Sequence, residues 1–177
     1  MVRLTRHLPG GAVALALLTG CAGASVASGR TGDADALLMA LDDEYKAEAT
    51  YAAVIDKFGE IHPFTNIIEA ERRHAQRAKA EMDRLAISYD AANPYLDKLT
   101  APQSVLAACK QGVAAEIENI ALYDRILPMV EDQSVLATLT DLQWASRERH
   151  LPAFERCVAR GGKRGRGRGR GQGRGRQ

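Results

Sequence analysis

Four successive stretches of this chain repeat apolar residues at steps of three and four, and that spacing constrains the fold more than any other feature. The four predicted helices cover residues 33–58, 63–85, 100–127 and 132–160. Thr100 and Gln103 are predicted to form a capping box at the start of the third helix. The first and last connections are short, and the middle one is long enough to cross a bundle from end to end. The pattern therefore predicts an all-α four-helix bundle of two antiparallel hairpins joined by a long crossover.

Each apolar seam also carries ionisable residues near its middle. They are Glu44 and Glu48 on the first helix, Glu71 and His74 on the second, Glu116 on the third, and Arg147 and His150 on the fourth. A buried charge is costly unless it is paired or coordinates a metal. One such residue alone is most simply a partly solvated seam charge, but four seams charged at matching depth favour a shared site. Carboxylates and imidazoles together suit a divalent metal ion.

The spacing of these residues resembles that of the ferritin-like superfamily, especially its rubrerythrin-type members. It is more similar still to an uncharacterised bacterial and archaeal ferritin-like domain family. In the superfamily the first and third helices each supply a glutamate, and the second and fourth each supply an E-x-x-H pair. Residues 71–74 read E-R-R-H and match that pair completely, and the resemblance covers residues 33–160. It implies a ferritin-like bundle, bound iron and oxidoreductase activity.

The resemblance also implies a set of site residues. The implied metal ligands are Glu44, Glu71, His74, Glu116 and His150. Tyr51 and Tyr123 each follow a ligand glutamate by seven residues, so the first and third helices echo each other. We expect both tyrosines beside the ligands, as core residues rather than as redox relays.

The fourth helix departs from the family pattern, because Arg147 stands where the second carboxylate belongs. Glu148 cannot replace it, since two residues before His150 on an α-helix is about 200° around the axis. With Arg147 in the second metal's place, the site's net charge matches one divalent ion. Glu48 complicates this count, because it is placed either to pair with Arg147 or to act as a replacement ligand. We expect one divalent metal, which the resemblance implies to be iron, and the sequence leaves two ions, or a metal-free site held by Arg–Glu pairs, open.

Residues 1–20 are typical of a bacterial lipoprotein signal peptide. A basic start, MVRLTRH, precedes an apolar stretch that is too short to span a bilayer as a helix. Residues 18–21 read LTGC, which resembles a lipobox and implies lipidation of Cys21; an ordinary secretory signal is the alternative. Residues 21–32 are expected to form a flexible tether. The chain is therefore predicted to be exported and anchored to a membrane at the cell envelope, where disulfides persist.

Two further cysteines lie at matching distances from predicted ligands. Cys109 precedes Glu116 by seven residues, and Cys157 follows His150 by seven. If Glu116 and His150 meet at one level of an antiparallel hairpin, both cysteines lie two turns away on the same side. We therefore expect a Cys109–Cys157 disulfide, the alternative being two buried free thiols.

The last segment, residues 161–177, alternates arginine with glycine and contains no apolar side chain. All 22 acidic residues lie between Asp33 and Glu155, so the overall charge of +2 averages an acidic body and a basic tail. The tail is predicted to bind an anionic surface or polymer, such as lipid headgroups or polysaccharide. Nucleic acid is disfavoured, because no aromatic residue interleaves the arginines. The competing function is a metal-free helical interaction module at the envelope, and homo-oligomerisation stays open.

Overall fold

The computed structural model describes residues 23–163, with side chains described from Thr31 onward. The predicted signal peptide, the predicted lipidation site Cys21 and the tail from residue 164 lie outside the described residues. The helices are α1 (Gly23–Phe58), α2 (Phe64–Leu85), α3 (Val105–Ile126), α4 (Gln133–Ala145) and α5 (Leu151–Ala159), with a 3-10 turn at Leu127–Met129 and a π-helical turn at Ser146–His150. The described part of the chain contains no strand, and none of its helices is long and apolar enough to cross a membrane.

The helices form two hairpins. α1 pairs with α2, and α3 pairs with a broken fourth helix that consists of α4, the π-helical turn and α5. Residues 59–63 and 127–132 make the short connections within the hairpins, whereas residues 86–104 connect α2 to α3. The predicted all-helical bundle is confirmed, with its predicted order of short, long and short connections.

The first helix starts earlier than predicted, and the fourth starts where predicted. α1 begins at Gly23 rather than near Asp33, so the expected flexible tether is helical from that residue onward. The Asp132 carboxylate caps α4 by accepting hydrogen bonds from the N–H groups of Ser134 and Val135, at 2.9 and 3.1 Å.

The predicted capping box of α3 is wrong. Ser104 is the capping residue, and its hydroxyl oxygen accepts a hydrogen bond from the Ala107 N–H at 3.1 Å. A helix capped by Thr100 and Gln103 would require helical backbone at the residue just before Pro102. The proline ring disfavours that conformation by steric clash, so the helix begins after the proline.

A π-helical turn interrupts the fourth helix directly beside the polar seam. The Leu151 N–H bonds to the Ser146 carbonyl, five residues earlier, instead of the usual four. Pro152 follows at the second position of α5. Its ring would clash with the carbonyl four residues earlier in a regular α-helix, and it has no N–H to donate. The wider turn relieves that conflict.

Apolar packing forms two clusters, and the helices pass from one to the other. The first cluster includes Leu37, Leu41, Tyr45, Met82, Tyr123, Ile126, Leu139 and Leu142. The second includes Tyr51, Val54, Phe64, Ile68, Cys109, Phe154 and Cys157. On α2, α3 and the fourth helix, the buried glutamates and histidines fall between these two sets along the chain, and on α1 Glu44 adjoins Tyr45 at the edge of the first cluster. A polar layer therefore separates two apolar ones.

Cys109 and Cys157 form a buried disulfide between α3 and α5, with Cα atoms 5.9 Å apart. The two helices approach closely here because Gly112 has no side chain. A Cβ atom at Gly112 would lie 2.6 Å from the ring of Phe154, closer than side chains pack. The disulfide predicted from the two seven-residue spacings is confirmed.

Loss of this disulfide should cost about 4 kcal/mol of unfolding free energy, because the bond closes a long loop in the unfolded chain. The sequence separation of the two cysteines is 48 residues. Urea unfolding of the oxidised and reduced protein measures the difference. A Cys109→Ala/Cys157→Ala variant is the control and should not respond to reductant. Equal unfolding free energies for oxidised and reduced wild type would contradict the prediction.

Candidate metal centre

The polar layer contains all five predicted ligand residues. α1 contributes Glu44, α2 contributes Glu71 and His74, α3 contributes Glu116, and the end of the π-helical turn contributes His150. Each of the five is less than 9% exposed. The structure therefore brings together, away from water, residues that lie far apart in the sequence.

Glu71 occupies the centre of the layer and contacts both imidazoles. Its Oε2 lies 2.9 Å from Nδ1 of His74, and its Oε1 lies 3.1 Å from Nδ1 of His150. The two rings are stacked, with centroids 5.4 Å apart and planes inclined by 22°. The carboxylate thus reaches two imidazoles through two different oxygen atoms.

Each imidazole also faces a second carboxylate. Nδ1 of His74 is 3.4 Å from Oε2 of Glu44, and Nδ1 of His150 is 3.6 Å from Oε2 of Glu116. We call Glu44, His74 and Glu71 the first half-site, and Glu116, His150 and Glu71 the second. The two half-sites share Glu71 and are otherwise alike in composition.

The donor atoms fit a metal ion. Bonds of about 2.0–2.2 Å at angles near 90–110° place neighbouring ligand atoms roughly 3.0–3.5 Å apart. The contacts within each half-site, from 2.9 to 3.6 Å, are close to that range. One ligand atom from each of Glu71, His74 and His150 lies within 4.8 Å of the others. This buried group could hold a metal ion.

His150 supplies a second indication. Its Nδ1 is buried and makes no hydrogen bond within the described part of the chain, although it lies 3.1 Å from a carboxylate oxygen. The distance suits a hydrogen bond, so the bond is excluded by its angle and not by its length. A buried polar atom without a partner is costly. A metal ion between the imidazole and the carboxylates would satisfy it.

Two tyrosines hold the outer carboxylates in a crossed arrangement. The Tyr51 hydroxyl on α1 donates to Oε1 of Glu116 on α3 at 2.8 Å. The Tyr123 hydroxyl on α3 donates to Oε1 of Glu44 on α1 at 2.9 Å. Each bond occupies one oxygen and leaves Oε2 facing the imidazole. Burial raises the pKa of both hydroxyl groups well above the usual value, so both remain donors.

In the metal-free layer the pKa values of the three carboxyl groups shift in different directions. Burial, followed by the charge of Glu71, raises the pKa of Glu44 to about 8. Burial also raises the pKa of Glu116. For Glu71, the effect of burial is outweighed by the attraction of His150 and His74, which lowers its pKa to about 2. The central carboxylate is therefore ionised at neutral pH, whereas Glu44 is largely protonated.

The imidazoles are shifted in the complementary direction. Burial lowers the pKa of His74, but Glu44 and Glu71 raise it by more, to about 9. The pKa of His150 is also raised, because Glu116 and Glu71 outweigh the effect of burial. In the metal-free protein the layer is thus a set of buried ion pairs. A metal ion would have to displace the protons from both imidazoles.

The prediction that Arg147 occupies the second metal's place is wrong. Its side chain is exposed and lies 3.6 Å from Asp124 at the surface, and Ser146 is buried instead. The π-helical turn is the physical reason. It advances fewer degrees per residue than an α-helix, so the position three residues before His150 rotates away from the layer. Glu148 is exposed, as expected.

Glu48 is also outside the layer. Its carboxylate accepts hydrogen bonds from Arg72 at 2.8 Å and from the Asn93 amide at 3.0 Å. It therefore neither pairs with Arg147 nor replaces a ligand. The bond to Asn93 attaches the long connection between α2 and α3 to the side of α1.

Sequence reasoning missed a polar pair beside the layer. The Asn119 amide donates to Asp43 at 2.6 Å, and burial raises the pKa of that carboxyl group. Both residues line a cavity of about 140 Å³ that also contacts Glu116 and Tyr51. The available signals were weak: Asp43 adjoins Glu44 in the sequence, and Asn119 lies one turn after Glu116.

Comparison with known proteins supports the fold alone. The chain matches no family model and no curated protein. It is similar in structure to the hypothetical protein MJ0754 from Methanococcus jannaschii, with a TM-score of 0.65 and 20% sequence identity. The match covers 75% of this chain and 82% of that one. At this identity the likeness establishes a shared helical arrangement and carries no information about function.

The metal-free protein should lose stability as the pH rises from about 5 to 9. The pKa of His74, about 9 in the folded state, lies above the 6.5 of a histidine in the unfolded chain, so its stabilising contribution is complete below pH 6.5 and is lost toward pH 9. The pKa of Glu44, about 8 against 4.5, acts in the same direction between those two values. Both groups bind more protons in the folded than in the unfolded state across this range.

Urea unfolding of chelator-treated protein at pH 5, 7 and 9 measures this effect. We expect a loss of a few kcal/mol, on the order of the shifts involved. Glu44→Gln keeps a neutral side chain at every pH and should show a clearly smaller loss. An unfolding free energy that is constant or increases over this range would contradict the assignment.

Proposed function

We propose that the polar layer is a divalent metal centre and that the protein is a metal-binding helical bundle of the ferritin-like kind. The observation that carries the proposal is the buried Glu71 carboxylate between two imidazoles, one of which has no hydrogen-bond partner at Nδ1 among the described residues. Each half-site offers a carboxylate of its own, an imidazole and one oxygen of Glu71. Such mixed oxygen and nitrogen donors suit iron, which is the metal we propose.

Three features support the ferritin-like arrangement. The bundle consists of two hairpins joined by a long connection. Its first and third helices each supply one glutamate, and its second supplies an E-x-x-H pair. The fourth helix supplies only a histidine, so one bridging carboxylate of that arrangement is replaced by the buried Ser146.

Because Arg147 lies outside the polar layer, its charge no longer counts when the number of metal ions is inferred from the net charge of the site. Without its guanidinium, the layer has three carboxylates and two imidazoles that are neutral when they act as ligands. One divalent ion leaves a net charge of −1, and two leave +1. Because each half-site has its own carboxylate and its own imidazole, we propose two ions that share Glu71. Three protein donors for each ion leave room for an exogenous ligand.

Iron bound in such a pair would supply redox chemistry, which makes the proposed activity an oxidoreductase one. The role of the chain's own residues follows from their contacts. Tyr51 and Tyr123 orient the outer carboxylates, and the two apolar clusters exclude water from above and below the layer.

Export and membrane anchoring are part of the proposal and depend on the sequence. The signal peptide and Cys21 support them. The buried Cys109–Cys157 disulfide agrees with an oxidising compartment. The Arg/Gly tail would then face an anionic envelope surface.

A metal-free interaction module is the second candidate, and one observation favours it. The protonated imidazoles pair with the carboxylates, so the layer approaches neutrality without a metal. In that reading the buried ion pairs fix the register of the helices. Metal content decides between the two candidates.

The test is iron content per chain after anaerobic ferrous loading and desalting. Wild type should retain about two ions, as expected for a paired site. Glu44→Gln and Glu116→Gln should each lose one ion, and Glu71→Gln should lose both. Glu118→Gln, an exposed glutamate two residues after Glu116, is the matched control and should bind like wild type. A folded wild-type protein that retains no iron would contradict the proposal and favour the metal-free module.

A further inference from the structure

We propose that a small tetrahedral oxyanion binds in a basic pocket beside His150 and accepts a hydrogen bond from Nε2 of that imidazole. The anion would be a phosphate-like ion or the phosphoryl group of a phosphate ester. Its binding to the pocket stands independently of the metal. Its coupling to the metal centre rests on the function proposed above.

The pocket is a cavity of about 450 Å³ between α2 and the junction of the π-helical turn with α5. Its lining includes the buried residues Pro63, Ile67 and His150 and the exposed residues Arg73, Arg149 and Arg156. We call this cavity the basic pocket. Its volume lies within the range that small-molecule sites occupy.

The three arginines of the basic pocket form no ion pair with any residue between 31 and 163, in contrast to several other arginines of the bundle. Arg72, Arg77, Arg84 and Arg147 each lie within 4.0 Å of a carboxylate. Glu148 is the only acidic residue that lines the pocket. A surplus of unpaired guanidinium groups on an otherwise acidic body is a local attraction for an anion.

Arg149 is held in place by an aromatic ring. Its guanidinium carbon lies 4.9 Å from the ring centroid of Trp144. Such stacking uses the face of the guanidinium and leaves its N–H groups available for an acceptor. A restrained arginine loses less conformational freedom when it binds an anion than a free one does.

His150 connects the basic pocket to the polar layer. Its Nδ1 faces Glu71 and Glu116, so the opposite edge of the ring carries Nε2. That nitrogen makes no hydrogen bond to any described residue, although His150 lines the pocket. An imidazole that binds a metal through Nδ1 keeps its proton on Nε2, and metal-binding histidines nearly always donate that proton to an acceptor. The described residues supply none, and an anion in the pocket would.

The arrangement of donors favours a tetrahedral anion. The guanidinium groups come from α2, the π-helical turn and α5, and the imidazole adds a fourth donor. A tetrahedral oxyanion presents oxygen atoms in several directions, whereas a carboxylate presents two in one plane. The cavity is larger than the anion alone and leaves space for an organic group.

The fluorescence of Trp144, the only tryptophan in the chain, tests the proposal in the full-length protein. Sulfate is titrated against chloride at constant ionic strength, so that non-specific binding to the Arg/Gly tail is matched. We expect a saturable change in wild type, weakened by at least about tenfold in Arg73→Gln/Arg156→Gln. An Arg77→Gln/Arg125→Gln variant, whose arginines lie outside the pocket lining, should behave like wild type. No saturable change, or equal affinity in the pocket variant, would overturn the proposal.

A parallel titration with glycerol 3-phosphate separates the two sources of the anion. Tighter saturation by glycerol phosphate than by sulfate identifies a phosphate ester, and equal or weaker saturation identifies the free ion. Both results support the pocket.

Repeating the sulfate titration with metal-loaded protein tests the coupling. We expect tighter binding, because two bound ions would leave the layer with a net charge of +1, whereas the metal-free ion pairs are close to neutral. If metal binds and sulfate does not, the pocket proposal fails and the metal centre stands. If sulfate binds and metal does not, the metal centre and the coupling fail and the pocket stands.

Discussion

The Glu71 carboxylate, held between two buried imidazoles, is the interaction on which the rest of the structure depends. Burying three carboxylates and two imidazoles in a helical bundle is costly unless each is paired or bound to a metal. Every surrounding feature reduces that cost. Two tyrosines satisfy the outer oxygens, two apolar clusters exclude competing water, and the disulfide fixes α3 against α5 one layer below His150. The helices must therefore keep one register, since a shift of any helix would leave a charge unpaired.

The crossed tyrosines make the layer nearly symmetrical. α1 and α3 each carry a glutamate and, seven residues later, a tyrosine that bonds to the glutamate of the other helix. α2 and the fourth helix do not repeat each other in the same way. Only α2 supplies a carboxylate, and Glu71 serves both half-sites. The layer thus has two equivalent outer ligand pairs and a single shared centre.

Much of this arrangement could be predicted from the sequence, because it follows from helical spacing. Residues seven apart lie on one helix face, so Glu44 and Tyr51, or Cys109 and Glu116, were correctly expected to lie along one seam. The rule failed where the helix ceases to be an α-helix. Beside Pro152 the π-helical turn rotates Arg147 out to Asp124, which the α-helical spacing did not predict. A single π-helical turn changes the rotation per residue only locally, and spacing rules that assume a regular α-helix cannot predict it.

Other differences arise from contacts between distant parts of the chain. Glu48 looked like a spare ligand along its seam, yet Arg72 and Asn93 hold it at the side of the bundle. The basic pocket had no sequence signal at all, because its arginines come from α2, the π-helical turn and α5. Only the packing of those elements places three cations beside the imidazole of His150.

Anomalous X-ray diffraction at the iron edge, from crystals of the iron-loaded protein, tests the central claim most directly. The account predicts two anomalous peaks in the polar layer, one bonded to Nδ1 of His74 and one to Nδ1 of His150, with Glu71 between them. A single peak shared by both imidazoles would contradict the two-ion arrangement. An ordered layer without any peak would contradict the metal centre itself and leave Glu71 as the core of a buried ion-pair network.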